Sequence, residues 1–305
     1  MAQRVVLDTD IGTDVDDLFA LAFLLASPEL RLCGVTLVHG DVRLRASIVL
    51  KLLDAAGIAG IPLSLGAGDP MQFGLPVHWT GHEGHGLELE PPDPGRLDGR
   101  SAVSFLLERI GEAPGNLGLI TIGPLTNAGL LARDHPGAFR ALQAVSIMGG
   151  NYHPPGARPV TAEHNFRCDP EAASRVLETA PACRLVGLNV TRRTGLTGGL
   201  LKELEALGTP AGTLLARAGW HYLRQTGRDA TPMHDPLAVA AHFRPELFRW
   251  ERLVPVVQTA GDGAGVVTFR RGDGGERGVS VAVDADIPAF QELFRERILA
   301  FASRA

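Results

Sequence analysis

Five carboxylates fall within ten residues of VVLDTDIGTDVDD, the stretch from Val5 to Asp17: Asp8, Asp10, Asp14, Asp16 and Asp17. Like charges this close repel and raise one another's pKa values unless a cation or fixed donors compensate. Ligation by oxygen alone favours a hard divalent ion such as calcium or magnesium. The simpler reading is a solvated turn with one acid capping the next helix, a role Asp14 alone would fill. That leaves most of the acids without a task, so metal binding explains the stretch better. An EF-hand loop counted from Asp8 would need Gly at its sixth position and Glu at its twelfth. Thr13 and Phe19 stand there, which removes that option.

The elements around the acids must bring distant groups to them. Val5, Val6 and Leu7 read as a strand buried on both faces, as in a parallel sheet. Helical composition over 17–26, a strand over 30–38, an amphipathic helix over 42–56 and a strand over 61–65 follow. This alternation predicts an α/β fold, an open and mostly parallel sheet with helices on both faces. Strands are also expected at 117–122, 144–148 and 184–188, with a largely helical stretch from 196 to 244. Short β-rich runs at 252–259, 265–270 and 278–283 predict a small C-terminal β part before a last helix at about 287–302. No linker or repeat divides the chain, so one domain over 1–305 is expected. In such sheets ligands bind beyond the carboxyl ends of the strands. Asp8 and Asp10, His39 and Asp41, the turn after 117–122, and Gly149 to Asn151 all have that address.

Composition bounds the function. The chain has 305 residues, 45% hydrophobic and 21% charged, with a formal charge of -5. That balance argues against a general nucleic-acid or anionic-membrane binder. The longest apolar run near the N-terminus, Leu18 to Ala26, is too short to span a bilayer. Cys33, Cys168 and Cys183 show no paired spacing and suit a reducing compartment, so a cytoplasmic enzyme is expected.

Further motifs join the acidic stretch: GHEGHGL (81–87), GPLTN (123–127), MGGN (148–151), AEHNFRCDPEAA (162–173) and HDPLAVA (234–240). With DTDIGTDVDD they resemble the inosine-uridine preferring nucleoside hydrolases over almost the whole chain. The resemblance implies a tightly bound calcium ion and hydrolysis of the N-glycosidic bond of small ribonucleosides, in purine or pyrimidine salvage. It also implies a homodimer or homotetramer. By the family pattern Asp10, Asp17 and Asp235 are carboxylate ligands of calcium, and Ile122 adds its backbone carbonyl. Asp10 is the general base toward a calcium-held water, and His234 protonates the leaving base. Asp16, Asn165 and Glu163 match sugar-binding residues, and His82 one that lines the base pocket. Asp41 and Asn151, at strand ends, join the expected substrate contacts.

The chain departs from the pattern in places. Its acidic motif is two residues longer than the short GxDD form, which leaves the ribose role open between Asp14 and Asp16. Asp41 replaces an asparagine, Ala157 stands where several members have one, and His164 replaces a phenylalanine. Structural readings compete too. His234 and Asp235 could simply start a helix before Pro236, while Thr126, Asn127 and Asp169 are expected to be helix caps. Two other functions fit parts of the sequence. A haloacid-dehalogenase-type phosphatase would use Asp8 and Asp10, but Lys51 and Lys202, the lysines of the chain, lie in expected helices away from strand ends. A catalytically silent protein that binds a ribosylated ligand would keep the pocket without turnover.

Overall fold

The structure is a computed structural model that describes residues 2–157, 161–273 and 277–304. Its strands are β1 (Gln3–Thr9), β2 (Leu30–Leu37), β3 (Leu63–Leu65), β4 (Leu97–Asp98), β5 (Leu117–Thr121), β6 (Ala144–Met148), β7 (Cys183–Val186), β8 (Leu196–Thr197), β9 (Ala230–Thr231), β10 (Phe248–Val257), β11 (Val267–Arg270) and β12 (Val279–Ala285). The helices are α1 (Asp16–Leu25), α2 (Val42–Ala55), α3 (Ala102–Glu112), α4 (Thr126–Asp134), α5 (Pro136–Arg140), α6 (His164–Cys168), α7 (Pro170–Thr179), α8 (Leu188–Thr191), α9 (Gly198–Ala206), α10 (Pro210–Thr226), α11 (His234–Phe243) and α12 (Ile287–Ala302).

Ten strands form one sheet in the order β11-β10-β12-β7-β6-β5-β1-β2-β3-β4. From β4 across to β12 every neighbouring pair is parallel, and β10 and β11 add antiparallel pairs at the far edge. The β-rich C-terminal part expected from the sequence is therefore an extension of the main sheet. Only β8 and β9 stand apart, as a small antiparallel pair.

The apolar run of β1 feeds two cores. Val5 and Leu7 pack with α1, α2, α10, α11 and α12 on one face, while Val6 packs with α3, α4 and α7 on the other. This period-two division is what a strand buried on both sides requires. Helix α1 is buried from Asp16 to Leu24. It is held between α11 and α12, where Phe19 and Phe23 meet Phe243, Phe290 and Phe294. No helix among the described residues is long and apolar enough to cross a membrane.

The topology fixes where a ligand can sit. The chain runs outward from β1 through β2 and β3 to β4, then returns to place β5 on the other side of β1. Successive connections thus leave in opposite directions at β1 and β5, opening a crevice at their carboxyl ends. Asp8 and Asp10 end β1, and Ile122 and Gly123 follow β5. Gly123 allows the close approach: a Cβ there would lie 2.7 Å from Asp10 Oδ1 and 2.8 Å from Asp10 N.

Candidate active site

A cavity of about 650 Å³ opens at this crevice. Its acidic wall holds Asp10, Asp14, Asp16, Asp17 and Asp235, and a second wall carries Glu163, His164 and Asn165 beside Met148. His234, Pro232, Leu188, Arg192 and Arg228 line the remaining side. Carboxylate oxygens of Asp16, Asp17 and Asp235 lie within 4.8 Å of one another, all three residues buried.

The start of α11 supplies Asp235 and is itself held by the acidic stretch. Asp16 Oδ2 accepts from the backbone N–H groups of His234 (3.1 Å) and Asp235 (3.3 Å). Asp17 Oδ1 accepts from the Thr9 hydroxyl at 2.5 Å. Asp10 differs: among the described residues nothing donates to its carboxylate, which leaves its lone pairs for a ligand.

The electrostatics of the acids suit a bound cation. Burial, then the charges of Asp10 and Asp16, hold the Asp17 carboxyl well above the usual carboxylate range. Burial, then Asp16, Asp17, Asp10 and Asp14, do the same to Asp235. Asp16 is pushed up to about 7 by burial and by Asp14. Clustered oxygens whose charged forms are this disfavoured are the donor set of a hard cation, which reverses each of these shifts. The residues present therefore fit a divalent metal.

Arg45 was not singled out in the sequence, yet it shapes the acidic loop. This fully buried arginine donates through Nε to His39 O (2.6 Å), through Nη1 to Ile11 O (2.9 Å) and through Nη2 to the Thr13 hydroxyl (3.1 Å). Nη1 also donates to the carbonyl of Asp10, and the guanidinium lies 5.1 Å from the Trp79 ring centroid. One rigid fork thus fixes the backbone of the turn from Asp10 to Thr13. A charged residue on the otherwise apolar face of α2 was the signal available.

Other polar residues near the site have local duties. Asp8 is structural: its Oδ1 accepts from the Thr36 hydroxyl (2.5 Å) and from Asn127 Nδ2 (2.8 Å). Asn127 is no helix cap, since it also donates to Leu37 O (3.0 Å) and accepts from Ala67 N (2.9 Å), tying three strand ends together. Thr126 likewise leaves its helix uncapped and donates to Asp169 Oδ2 at 2.7 Å. Asp169 does cap α7 through Ala172 N. Asp14 does not cap α1. It is exposed and accepts from the Tyr222 hydroxyl at 2.8 Å.

Not every expected substrate residue reaches the cavity. Asp41 caps α2, accepting from the N–H groups of Arg43 and Leu44, and lies outside the lining. It belongs to the helix because an Asx side chain just before a helix satisfies otherwise orphaned N–H groups. Asn151, half-buried, also lies outside. His82 lines a smaller neighbouring pocket with His85, His221 and Tyr222, its Nε2 2.8 Å from Thr13 O. Glu163 and Asn165 do face the cavity, with strong local duties. Glu163 accepts from the N–H groups of Gly150, Asn165 and Phe166. Asn165 Nδ2 donates to Ile122 O (2.9 Å) and Met148 O (3.2 Å), so the Ile122 carbonyl keeps one lone pair. Ala157 borders a separate hollow with His153 and Phe269. Lys51 and Lys202 sit in α2 and α9, and neither lines the cavity.

The family model of the inosine-uridine preferring nucleoside hydrolases matches residues 5–292. The chain belongs to that family. It is 32% identical over 318 aligned positions to a pyrimidine-specific ribonucleoside hydrolase of Enterobacter sp. (strain 638), covering 100% of both chains. It is 30% identical to the inosine-uridine preferring nucleoside hydrolase of Leishmania major, covering 95% of each. The solved purine-preferring ribonucleoside hydrolase from Gardnerella vaginalis superposes with a TM-score of 0.87 at 27% identity, over 99% of this chain and 100% of that one. As a member of this family the chain is an N-glycosyl hydrolase that splits ribonucleosides into ribose and base. The phosphatase reading has no support in this membership or in the lysine-free lining.

Proposed function

We propose that the chain hydrolyses small ribonucleosides with the aid of one bound calcium ion, Asp10 acting as general base and His234 as donor to the leaving base. The observation that carries this is the convergence of Asp16, Asp17 and Asp235 oxygens within 4.8 Å, in one cavity with Asp10 and His234. Asp17 and Asp235, with Asp10 and the Ile122 carbonyl, would hold the ion, and oxygen donors alone favour calcium over softer metals. Bound there, a divalent cation supplies the positive charge that makes water easier to deprotonate.

The chain's own groups account for the rest. Asp10, whose carboxylate has no donor among the described residues, accepts the proton of the attacking water. The water oxygen bonds to C1′ as the bond from C1′ to the base nitrogen breaks, its electron pair leaving with the base. The ribosyl group becomes oxocarbenium-like on the way, and the surrounding carboxylates stabilise that positive charge. Asp16, Glu163 and Asn165 border the space for the sugar. Asp16 Oδ1 is the oxygen not committed to the start of α11, which suits a ribose hydroxyl.

Burial holds the His234 imidazole down to about 4, so it is neutral at pH 7. It can still donate. Its Nδ1 lies 2.7 Å from the Thr191 hydroxyl, and a hydroxyl donating to Nδ1 leaves the ring proton on Nε2 for the departing base. Neutral imidazole donates a hydrogen bond from Nε2 that stabilises the base nitrogen as it gains charge, and the proton taken up from the attacking water balances the base on release.

The test is Asp10→Asn. It is expected to reduce ribose release from inosine and uridine by about a thousandfold or more, with an unchanged circular dichroism spectrum. Near-normal turnover in that variant overturns the mechanism. Tight nucleoside binding without ribose release by the native protein would instead identify a silent ribosyl-binding member.

A further inference from the structure

The side of the cavity that carries His234 also carries two arginines that the reaction just described leaves unused. Arg192 directly follows Thr191, the hydrogen-bond partner of His234, and Arg228 precedes β9, which leads through Pro232 into His234. Both line the cavity, and both are exposed. Among the described residues neither guanidinium has a hydrogen bond or an ion pair, although the chain's other arginines include many that pair with nearby acids. After burial and the opposing charge of Asp14, both arginine charges act on the His234 imidazole, which puts them within Coulomb range of it.

The placement is informative because the rest of the cavity is acidic. Five aspartates and Glu163 line the other walls. The guanidinium groups line the same cavity as these carboxylates, yet among the described residues neither makes an ion pair with them. A neutral nucleoside gives them only uncharged acceptors, such as ring carbonyls and ring nitrogens. An anion gives each of them charge-assisted, bidentate bonds in a site partly shielded from water.

We propose that Arg192 and Arg228 form an anion-recognition patch at the leaving-base end of the cavity, which selects ribonucleosides whose base bears a carboxylate or an ionised ring. This deepens the reading of the cavity as a nucleoside hydrolase site and rests on it, because His234 marks the base end. On the proposed reading the sugar end lies at Glu163 and Asn165, in the same cavity. A phosphate on the 5′ hydroxyl is the other source of the same charge, and it would sit away from the arginines.

The test compares kcat/KM for matched pairs on the calcium-loaded protein: 5-carboxyuridine against uridine, xanthosine against inosine, and uridine 5′-monophosphate against uridine. The native protein is expected to prefer the charged base by about tenfold or more in the first two pairs, with no preference for the phosphate. Arg192→Gln and Arg228→Gln should each lower that preference several-fold, and the double variant should abolish it. A preference that is absent, survives the double variant, or appears only for the monophosphate overturns the proposal while leaving nucleoside hydrolysis intact. Should no nucleoside release ribose, the hydrolase reading fails by itself. Calorimetric affinities of the same pairs then decide the patch, and equal binding by native and doubly substituted protein overturns it.

Discussion

The two sides of the cavity are built on opposite principles. On the floor, the turn and one oxygen each of Asp16 and Asp17 are held by the protein, while the Asp10 carboxylate and Asp16 Oδ1 are left for ligands. Arg45 holds the turn from Asp10 to Thr13, Thr9 holds Asp17, and Asp16 holds the start of α11. At the mouth, Arg192, Arg228 and Asp14 are exposed, and among the described residues neither guanidinium has a hydrogen bond or an ion pair. A committed, buried floor costs little reorganisation as charge develops, which is what catalysis of bond cleavage requires. An uncommitted rim is where a substrate contributes the missing partners. On the proposed mechanism the floor carries the reaction, and the proposed arginine patch carries the choice of base.

This contrast can be broken most sharply at His234, which stands on the boundary. His234→Ala is expected to slow ribose release from inosine by about a hundredfold or more, and that from a p-nitrophenyl riboside far less, because its leaving group needs no proton. Equal losses on both substrates would return His234 to the floor as a packing residue. The next effect is on the floor itself. Arg45→Met should weaken calcium binding by about ten- to a hundredfold, as loss of a group that orients ligands does. Unchanged calcium affinity, measured by titration calorimetry, would show that the acidic turn holds its shape without the fork. The smallest effect is expected outside the cavity. Asp41→Ala should cost about 1 kcal/mol of stability as a lost helix cap, read from denaturant unfolding, with kcat/KM on uridine within about threefold of native. A large loss of activity at equal stability would put Asp41 back among the substrate contacts.

The sequence revealed the floor better than the mouth, for physical reasons. An excess of like charge at a strand end is visible locally, as is the alternation that makes the sheet parallel and directs strand ends to one edge. Asp41 was ambiguous because an acid before a helix has the same local signature whether it caps the helix or meets a ligand. Asn127 misled in the same way. Its side chain bonds Asp8 and Leu37 across 119 and 90 residues, contacts that no local pattern encodes. The bond from Asp16 to His234 spans 218 residues, so its hold on α11 was equally hidden. Arg192 and Arg228 carried no motif, and only the fold brings them beside His234.

The central claim is that the buried carboxylates form a cation site on which hydrolysis depends. It is tested most directly by ribose release from inosine and uridine with protein stripped by a chelator, before and after calcium is restored. Release is predicted to fall to background in the stripped protein and to return with one calcium ion bound per chain. Full ribose release by the metal-free protein would contradict it.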